Sequence, residues 1–421
     1  MRILGLLSQF WISSAVLLAD GKIVAGAAEE RFNREKMSRK FPHAAIDYCL
    51  KEGGIKIDDI DYIAVGWNPG VHIQSYNRRF SETFRWHAEF LYNIPNSILR
   101  HREDKRVPYV EQIFKHTKGE TKIIYVTHHL AHAANGFYLS PHKESAILTA
   151  DGRGEAETAF FGIGKNNKIT AIKTVAHPQS LGNFYSSVTQ FLGFDPHSDE
   201  WKVMALASYG SRDNEYYKKF KQILKFLPDG MFELDLTYFD YYLHDKQYYY
   251  SPKFLELFGQ AREKDAPTLE QHKEIAAALQ QITEETLSHM LHWLYKKTKQ
   301  KNLVVSGGVF MNSVFNGKIT TLSPFKNVFI SSCPDDSGIA TGAAAYVHHD
   351  ILGLPRMEPQ EHNYWGPGYS DKEIKEIIEK YKLSATHVPN IEKHAASLIN
   401  DGKIVGWLQG KMEFGQRALG N

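Results

Sequence analysis

The residue types best placed to do chemistry lie in Thr127-His128-His129-Leu130-Ala131-His132. The apolar run Lys122-Ile123-Ile124-Tyr125-Val126 precedes them, and the helix-forming stretch Ala133 to Tyr138 follows. This pattern predicts a strand running into a helix. His128 and His132 are four apart, so one helical turn brings both rings to one face. Two neutral imidazoles on one face can hold one divalent metal. The competing reading is an ordinary pair of helix-start histidines bonded to backbone or water. Asp335 and Asp336 open a second predicted helix, where they can serve as N-caps. Together with His128 and His132, either of them can also complete a shell of two nitrogens and one carboxylate oxygen.

The elements that must carry these residues repeat. Ile3 to Leu7 and Ser13 to Leu18 read as strands, Asp20-Gly21 as a hairpin turn, and Lys22 to Ala27 as the returning strand. About 140 residues later the pattern recurs. Ser145 to Ala150 is a strand, Asp151-Gly152-Arg153-Gly154-Glu155 a polar turn, and Thr158 to Ile163 and Ile169 to Lys173 a hairpin across Asn166-Asn167. Each copy is followed by strand–helix units. In the second copy, Asn302 to Val305 runs into Ser306-Gly307-Gly308, and Asn327 to Ile330 runs into Pro334-Asp335-Asp336-Ser337-Gly338. Two such halves enclose a cleft with the turns at the carboxyl ends of the strands, where open α/β sheets bind ligands. Turns of this kind offer backbone N–H groups to phosphate. Gly307-Gly308 fits either a nucleotide approach or a plain tight turn.

Elsewhere the chain reads more blandly. A helix is expected from Ala44 to Gly53, a strand from Asp61 to Gly66, and an aromatic, basic helix over about 81–105. The tyrosines 238, 241, 242, 248, 249 and 250 read as an insertion packed on the core or as an acceptor wall. A long helix is expected over about 268–297, carrying His272 and Glu274. Residues 353–368 read as a linker, followed by helices at Asp371 to Tyr381 and Ala395 to Ile399 and a strand at Ile404 to Leu408. The sequence then stops inside a Gly/Arg-rich loop, which reads as a truncated protein.

With 421 residues the chain is long enough for two or three domain-sized units. A net charge of +2 gives no bulk electrostatic case for nucleic acid or membrane partners. No run approaches the roughly 18 apolar residues of a membrane span. Cys49 and Cys333 lack metal-type spacing, so both are expected as packed thiols in a reducing cytoplasm.

Taken together, His128-His129-Leu130-Ala131-His132, Asp151-Gly152-Arg153-Gly154-Glu155, Lys202-Val203-Met204, Ser306-Gly307-Gly308-Val309 with Asn312, Pro334-Asp335-Asp336-Ser337-Gly338, and Met412-Glu413-Phe414-Gly415 with Arg417-Ala418-Leu419-Gly420-Asn421 resemble the O-carbamoyltransferases of the nodulation and antibiotic-tailoring type. The resemblance spans essentially the whole chain. It implies an α/β fold: a duplicated domain of the actin/sugar-kinase/heat-shock ATPase superfamily over 1–352, with halves at about 1–140 and 141–352. That domain is similar to the tRNA threonylcarbamoyl transferase. A linker and helix over 353–385 and the incomplete start of a YrdC-like unit over 386–421 would follow. The resemblance implies a divalent metal, iron first and manganese or zinc as alternatives, on His128, His132 and Asp336. It implies nucleotide contacts at Gly307, Gly308 and Asn312, a phosphate turn at Asp151 and Gly152, and phosphate-facing Lys411 and Arg417. Lys202 is expected among the catalytic groups. ATP, carbamoyl phosphate, a carbamoyl-adenylate intermediate and a small hydroxyl acceptor are the implied ligands, with a homodimer as the implied assembly.

One departure stands out. The resemblance calls for His-Asp-Ser in the first turn, and this chain has Trp11-Ile12-Ser13. His129 is the substitute base suggested by the sequence. Two rival functions stay open: an ATPase or kinase of the same superfamily, and a silent nucleotide-binding regulatory protein.

Overall fold

The computed structural model describes residues 1–8, 11–69, 71, 98, 121–243, 246–419 and 421. The helix expected over about 81–105 lies outside the described residues, apart from Ile98. In the first half, β1 (Arg2–Leu7), β2 (Ser14–Ala19) and β3 (Lys22–Ala28) are followed by α1 (His43–Gly53), β4 (Tyr62–Val65), β5 (Lys122–Tyr125) and α2 (His128–Leu139). The second half opens with β6 (Glu144–Ala150), β7 (Glu157–Lys165) and β8 (Lys168–Ala176). It continues through α3 (Leu181–Phe191), α4 (Glu200–Leu206), the short pair β9 (Leu224–Phe226) and β10 (Phe232–Leu234), α5 (Glu270–Thr298), β11 (Asn302–Ser306), β12 (Asn327–Ile330) and α6 (Ile339–Tyr346).

The two large sheets share one topology. The first runs β3-β2-β1-β4-β5 and the second β8-β7-β6-β11-β12. In each, two antiparallel hairpin partners lead to a central strand that pairs in parallel with the next two. The turn residues explain the hairpins: Asp20 and Gly21 both take positive φ (49° and 77°), as a tight primed turn requires. This duplicated mixed-sheet α/β architecture agrees with the duplicated α/β fold expected from the sequence.

The packing between the sheets places the site. One core cluster joins Ile3, Leu7 and Val16 of the first sheet to Ile147 and Val304 of the second through α2 and α6. All of α2 except Leu130 is buried. Such a helix must have small residues at its crossings, and Ala131, Ala133, Ala134, Ala340, Ala343 and Ala344 supply them. Gly342 is among the tightest: a Cβ there would sit 1.9 Å from the Ala131 carbonyl oxygen. One of the closest approaches between the halves therefore falls on the helical turn that carries His128 and His132, matched by Gly5, where a Cβ would sit 1.9 Å from the Ala340 carbonyl oxygen.

After α6 the chain returns to the first half. Met357, Trp365 and Phe414 are buried in the same core as α2. The Trp365 carbonyl accepts from the Gly26 N–H at 3.0 Å and from the Tyr48 hydroxyl at 2.8 Å. Helices α7 (Asp371–Tyr381) and α8 (Ile391–Asn400) form where expected. The strand expected at Ile404 to Leu408 does not. Ile404 is 102% and Leu408 73% exposed, and no described strand lies alongside to pair with them. An apolar run needs a sheet edge to become a strand, and here it has none. Among the described residues no helix is long and apolar enough to cross a membrane.

Two outcomes are expected. Gly342→Ala should destabilise the fold by about 1–3 kcal/mol, the usual cost of overpacking; an unchanged urea midpoint would contradict the packing. Burial also pushes His349 and His177 down to about 3. Unfolded histidines titrate near ~6.5, so between these values the unfolded chain binds more protons than the folded one. Stability should therefore fall as pH drops from about 6.5 towards 3, which denaturant titrations across that range would measure.

Candidate metal centre and nucleotide cleft

The start of α2 is fixed by a buried anion. Thr127 makes no side-chain cap. The Glu155 carboxylate takes its place, accepting from the His128 N–H at 3.0 Å and from the Asn68 N–H at 2.7 Å. A carboxylate here satisfies free helix N–H groups and complements the helix dipole. It also fixes where the two imidazoles point.

The rings converge on two carboxylates from the second half. Asp151 stands at the end of β6, and Asp336 in the turn between β12 and α6. Asp151 Oδ2 lies 3.2 Å from His128 Nε2 and 2.9 Å from His132 Nε2. Asp336 Oδ1 lies 3.5 Å and 3.4 Å from the same atoms, and the two Nε2 atoms are 3.1 Å apart. Ligands ~2.1 Å from one ion are spaced ~3.0 Å apart in octahedral cis positions and ~3.4 Å in a tetrahedron. The observed separations match this range, and all four donor atoms lie within 4.8 Å of one another. Two imidazoles and two carboxylates thus fit a single divalent cation, and the donor set accepts iron, manganese or zinc.

The electrostatics show what a cation would relieve. Burial raises Asp336, and the nearby Asp151 charge raises it further. Burial opposes ionisation of Asp151 as well, but hydrogen bonds with His128 and His132 hold it well below the usual carboxylate range. Burial also works against charge on His132, yet the two carboxylates outweigh it and lift the ring to about 9. Without a metal, a proton takes up the role of positive charge between the carboxylates.

Beside this centre lies a cavity of about 750 Å³ between the halves. Trp11 and Ile12 of the first turn line it, as do Asp151 and Gly152 of its counterpart, so both turns face one space. Gly308, Asn312 and Arg417 line it too. Asn312 is held by Gln280 of α5 through two hydrogen bonds of 2.9 and 3.0 Å. Gln416 reaches in to donate to Asp335 Oδ2 at 2.7 Å, and Asp335 itself caps the turn by accepting from the Ser337 N–H.

Several expected residues lie elsewhere. Gly307 does not line the cavity. Its φ of 99° and the Ala150 carbonyl, 2.2 Å from any Cβ, make it a turn residue that lets Gly308 face inward. Lys202 pairs with Asp199 at 2.9 Å and Lys411 with Glu52 at 2.7 Å, both off the cavity wall. His129 is buried, and both its ring nitrogens are taken up outside the four-donor cluster. Its Nδ1 is 2.7 Å from Thr149 Oγ1 and its Nε2 3.2 Å from the Glu157 carbonyl. The sequence reading missed Asp151 as a cation donor, although its place at a strand end was visible. It placed Glu155 in the polar turn without foreseeing its role at the start of α2, and it missed His197, which lines the cavity. Burial pushes His197 down to about 4. The tyrosine stretch packs on the second-half core through Tyr238, Tyr241 and Tyr250.

Comparison with known proteins places this geometry. The description "Carbamoyltransferase N-terminus" matches residues 2–345, and "Carbamoyltransferase C-terminus" matches 396–421. The chain belongs to this carbamoyltransferase family. It is 33% identical over 439 aligned positions to the uncharacterized protein sll1178 of Synechocystis, covering 100% of this chain and 70% of that one. It is 31% identical to nodulation protein NolNO of Sinorhizobium fredii, covering 97% and 57%. To the 3'-hydroxymethylcephem-O-carbamoyltransferase of Amycolatopsis lactamdurans it is 25% identical, covering 72% and 54%. The chain therefore spans little more than half the length of the last two relatives.

If this carbamoyltransferase-family chain holds a cation as the geometry suggests, His132→Ala and Asp151→Asn should each weaken binding by more than the ~10–100-fold typical of losing a supporting partner. Elemental analysis and metal titration of the purified proteins check this. Full metal content in Asp151→Asn would limit Asp151 to contacting phosphate.

Proposed function

We propose that the protein is an O-carbamoyltransferase. It would move a carbamoyl group from carbamoyl phosphate, by way of a carbamoyl-adenylate made with ATP, to a hydroxyl of a small metabolite. The observation that carries this reading is the four-donor cluster at the wall of a nucleotide-sized cavity, in a chain of this family. A relative named for O-carbamoyl transfer to a hydroxymethyl group supports the hydroxyl acceptor. In this reading residues 1–352 carry out the transfer, 353–385 connect, and 386–421 begin a unit that makes the adenylate. The acceptor class is a sugar, antibiotic or nodulation-factor type of molecule. Two buried, unpaired thiols support a reducing cytoplasm.

The residues divide the work. Gly308, Asn312, Gly152 and Arg417 all line the cavity; in this reading the first two would contact the nucleoside and the last two phosphate. His128, His132, Asp151 and Asp336 would hold the cation, iron in the first instance. When bound, a divalent cation there polarises the acyl phosphate and neutralises charge on the departing AMP. The duplicated halves close around donor and acceptor and so supply orientation. A kinase of the same superfamily usually holds Mg²⁺ through carboxylate, water and phosphate, and the buried histidine pair disfavours that reading. The silent regulatory reading rests on Trp11 and Ile12.

Incubating the full-length protein with ATP, carbamoyl phosphate and a panel of hydroxylated acceptors separates the three. Carbamoyl transfer predicts AMP, pyrophosphate and a carbamoylated product. ADP with a phosphorylated product would establish the kinase, and nucleotide binding without turnover the silent protein.

A further inference from the structure

The proposed transfer needs a group to take the acceptor's proton, and where the resemblance calls for His-Asp this chain has Trp11 and Ile12, neither of which can. Trp11 nevertheless points to one. Its indole stacks on the ring of His197, with centroids 4.4 Å apart and planes 25° apart, and the Arg39 guanidinium lies 4.6 Å from the same indole. His197 comes from the loop ahead of α4, so it enters the cleft by a route unrelated to the first turn.

Three features hold that imidazole in place. Its φ of 62° is left-handed, a conformation uncommon outside glycine that persists only where surroundings enforce it. Its backbone N–H donates to Glu200 Oε1 at 2.6 Å, and Glu200 is itself held by Ser186 at 2.6 Å. Its Nε2 lies 3.1 Å from the Tyr249 hydroxyl. With Nε2–H donating to Tyr249, the lone pair sits on Nδ1, which takes no hydrogen bond among the described residues. The ring also packs beside Gly152, the residue after Asp151: its Cε1 would be 3.8 Å from a Cβ there. The other carboxylates on the cavity wall outside the cation cluster are engaged, Glu200 by the His197 N–H and Ser186. Glu30 pairs with Arg31 and accepts from the Met37 N–H, and Asp335 accepts from Ser337 and Gln416.

We propose that His197, oriented by Tyr249 and Trp11, is the base that takes the acceptor proton in this chain. The inference rests on the carbamoyl-transfer reading. In the step, the acceptor oxygen bonds to the carbamoyl carbon. The bond from that carbon to the phosphate oxygen breaks, its electron pair leaves with AMP, and the hydroxyl proton passes to His197 Nδ1. Solvent takes the proton after product release.

The test compares two acceptor probes with the full-length protein, ATP and carbamoyl phosphate. Glycerol needs a base, whereas hydroxylamine attacks without one. His197→Gln should cut transfer to glycerol by ~10²–10⁴-fold, the usual worth of a general base, and leave transfer to hydroxylamine within a few-fold. Added imidazole should restore glycerol transfer in His197→Ala. Tyr249→Phe, which removes a single hydroxyl, should lower glycerol transfer selectively. Unchanged glycerol transfer in His197→Gln, parallel loss with both probes, or a wild-type protein that uses hydroxylamine but not glycerol would each overturn the assignment. No transfer to either probe by the wild type would instead sink the carbamoyl-transfer reading, and this inference with it.

Discussion

Two carboxylates buried within one small space cannot both stay ionised unless positive charge lies between them. Asp151 and Asp336 are in that position, and the rest of the fold is arranged around meeting this requirement. Each comes from the second half, at the end of a different strand. The balancing groups, His128 and His132, come from the first half, on a helix buried between the sheets. The centre therefore exists only when the halves are docked, and the docking depends on alanines and glycine where α2 crosses α6. Packing and electrostatics meet on one helical turn, with Ala131 against Gly342 on one side and the two imidazoles on the other.

The buried Glu155 extends the same logic. A helix that starts inside a protein must have its first N–H groups satisfied. Thr127 could have capped α2 and does not. A carboxylate from the second half does so, and the helix that presents the imidazoles is thereby tied to the half that presents Asp151 and Asp336. A change of spacing between the halves would disturb helix start and donor geometry together.

Much of the fold was legible because local chemistry decided it. Asp20-Gly21 and Asn166-Asn167 mark hairpins wherever they occur between apolar runs, and the repeat of strand, turn and strand announced the duplication. The strand proposed at Ile404 to Leu408 failed because its residues report only apolar character, and strand formation needs a neighbouring edge. In the site, the i, i+4 histidines were readable from spacing and type, whereas Asp336 was set apart from Asp335 only by the family resemblance. Asp151 was placed at the correct turn but read as a phosphate contact, since which way a carboxylate points depends on tertiary context. Lys202, expected among the catalytic groups, and Lys411, expected to face phosphate, are paired with Asp199 and Glu52. His197 carried no sequence signal, because its position beside Trp11 and Tyr249 depends on a loop conformation.

The claim on which all of this depends is that four side chains from the two halves surround one cation. X-ray absorption spectroscopy on protein loaded with one equivalent of Fe²⁺ tests it most directly. The account predicts a first shell containing two imidazole nitrogens and carboxylate oxygens at ~2.0–2.2 Å, with the imidazole signal lost in His128→Ala/His132→Ala. A shell of oxygen alone, unchanged by those substitutions, would contradict it.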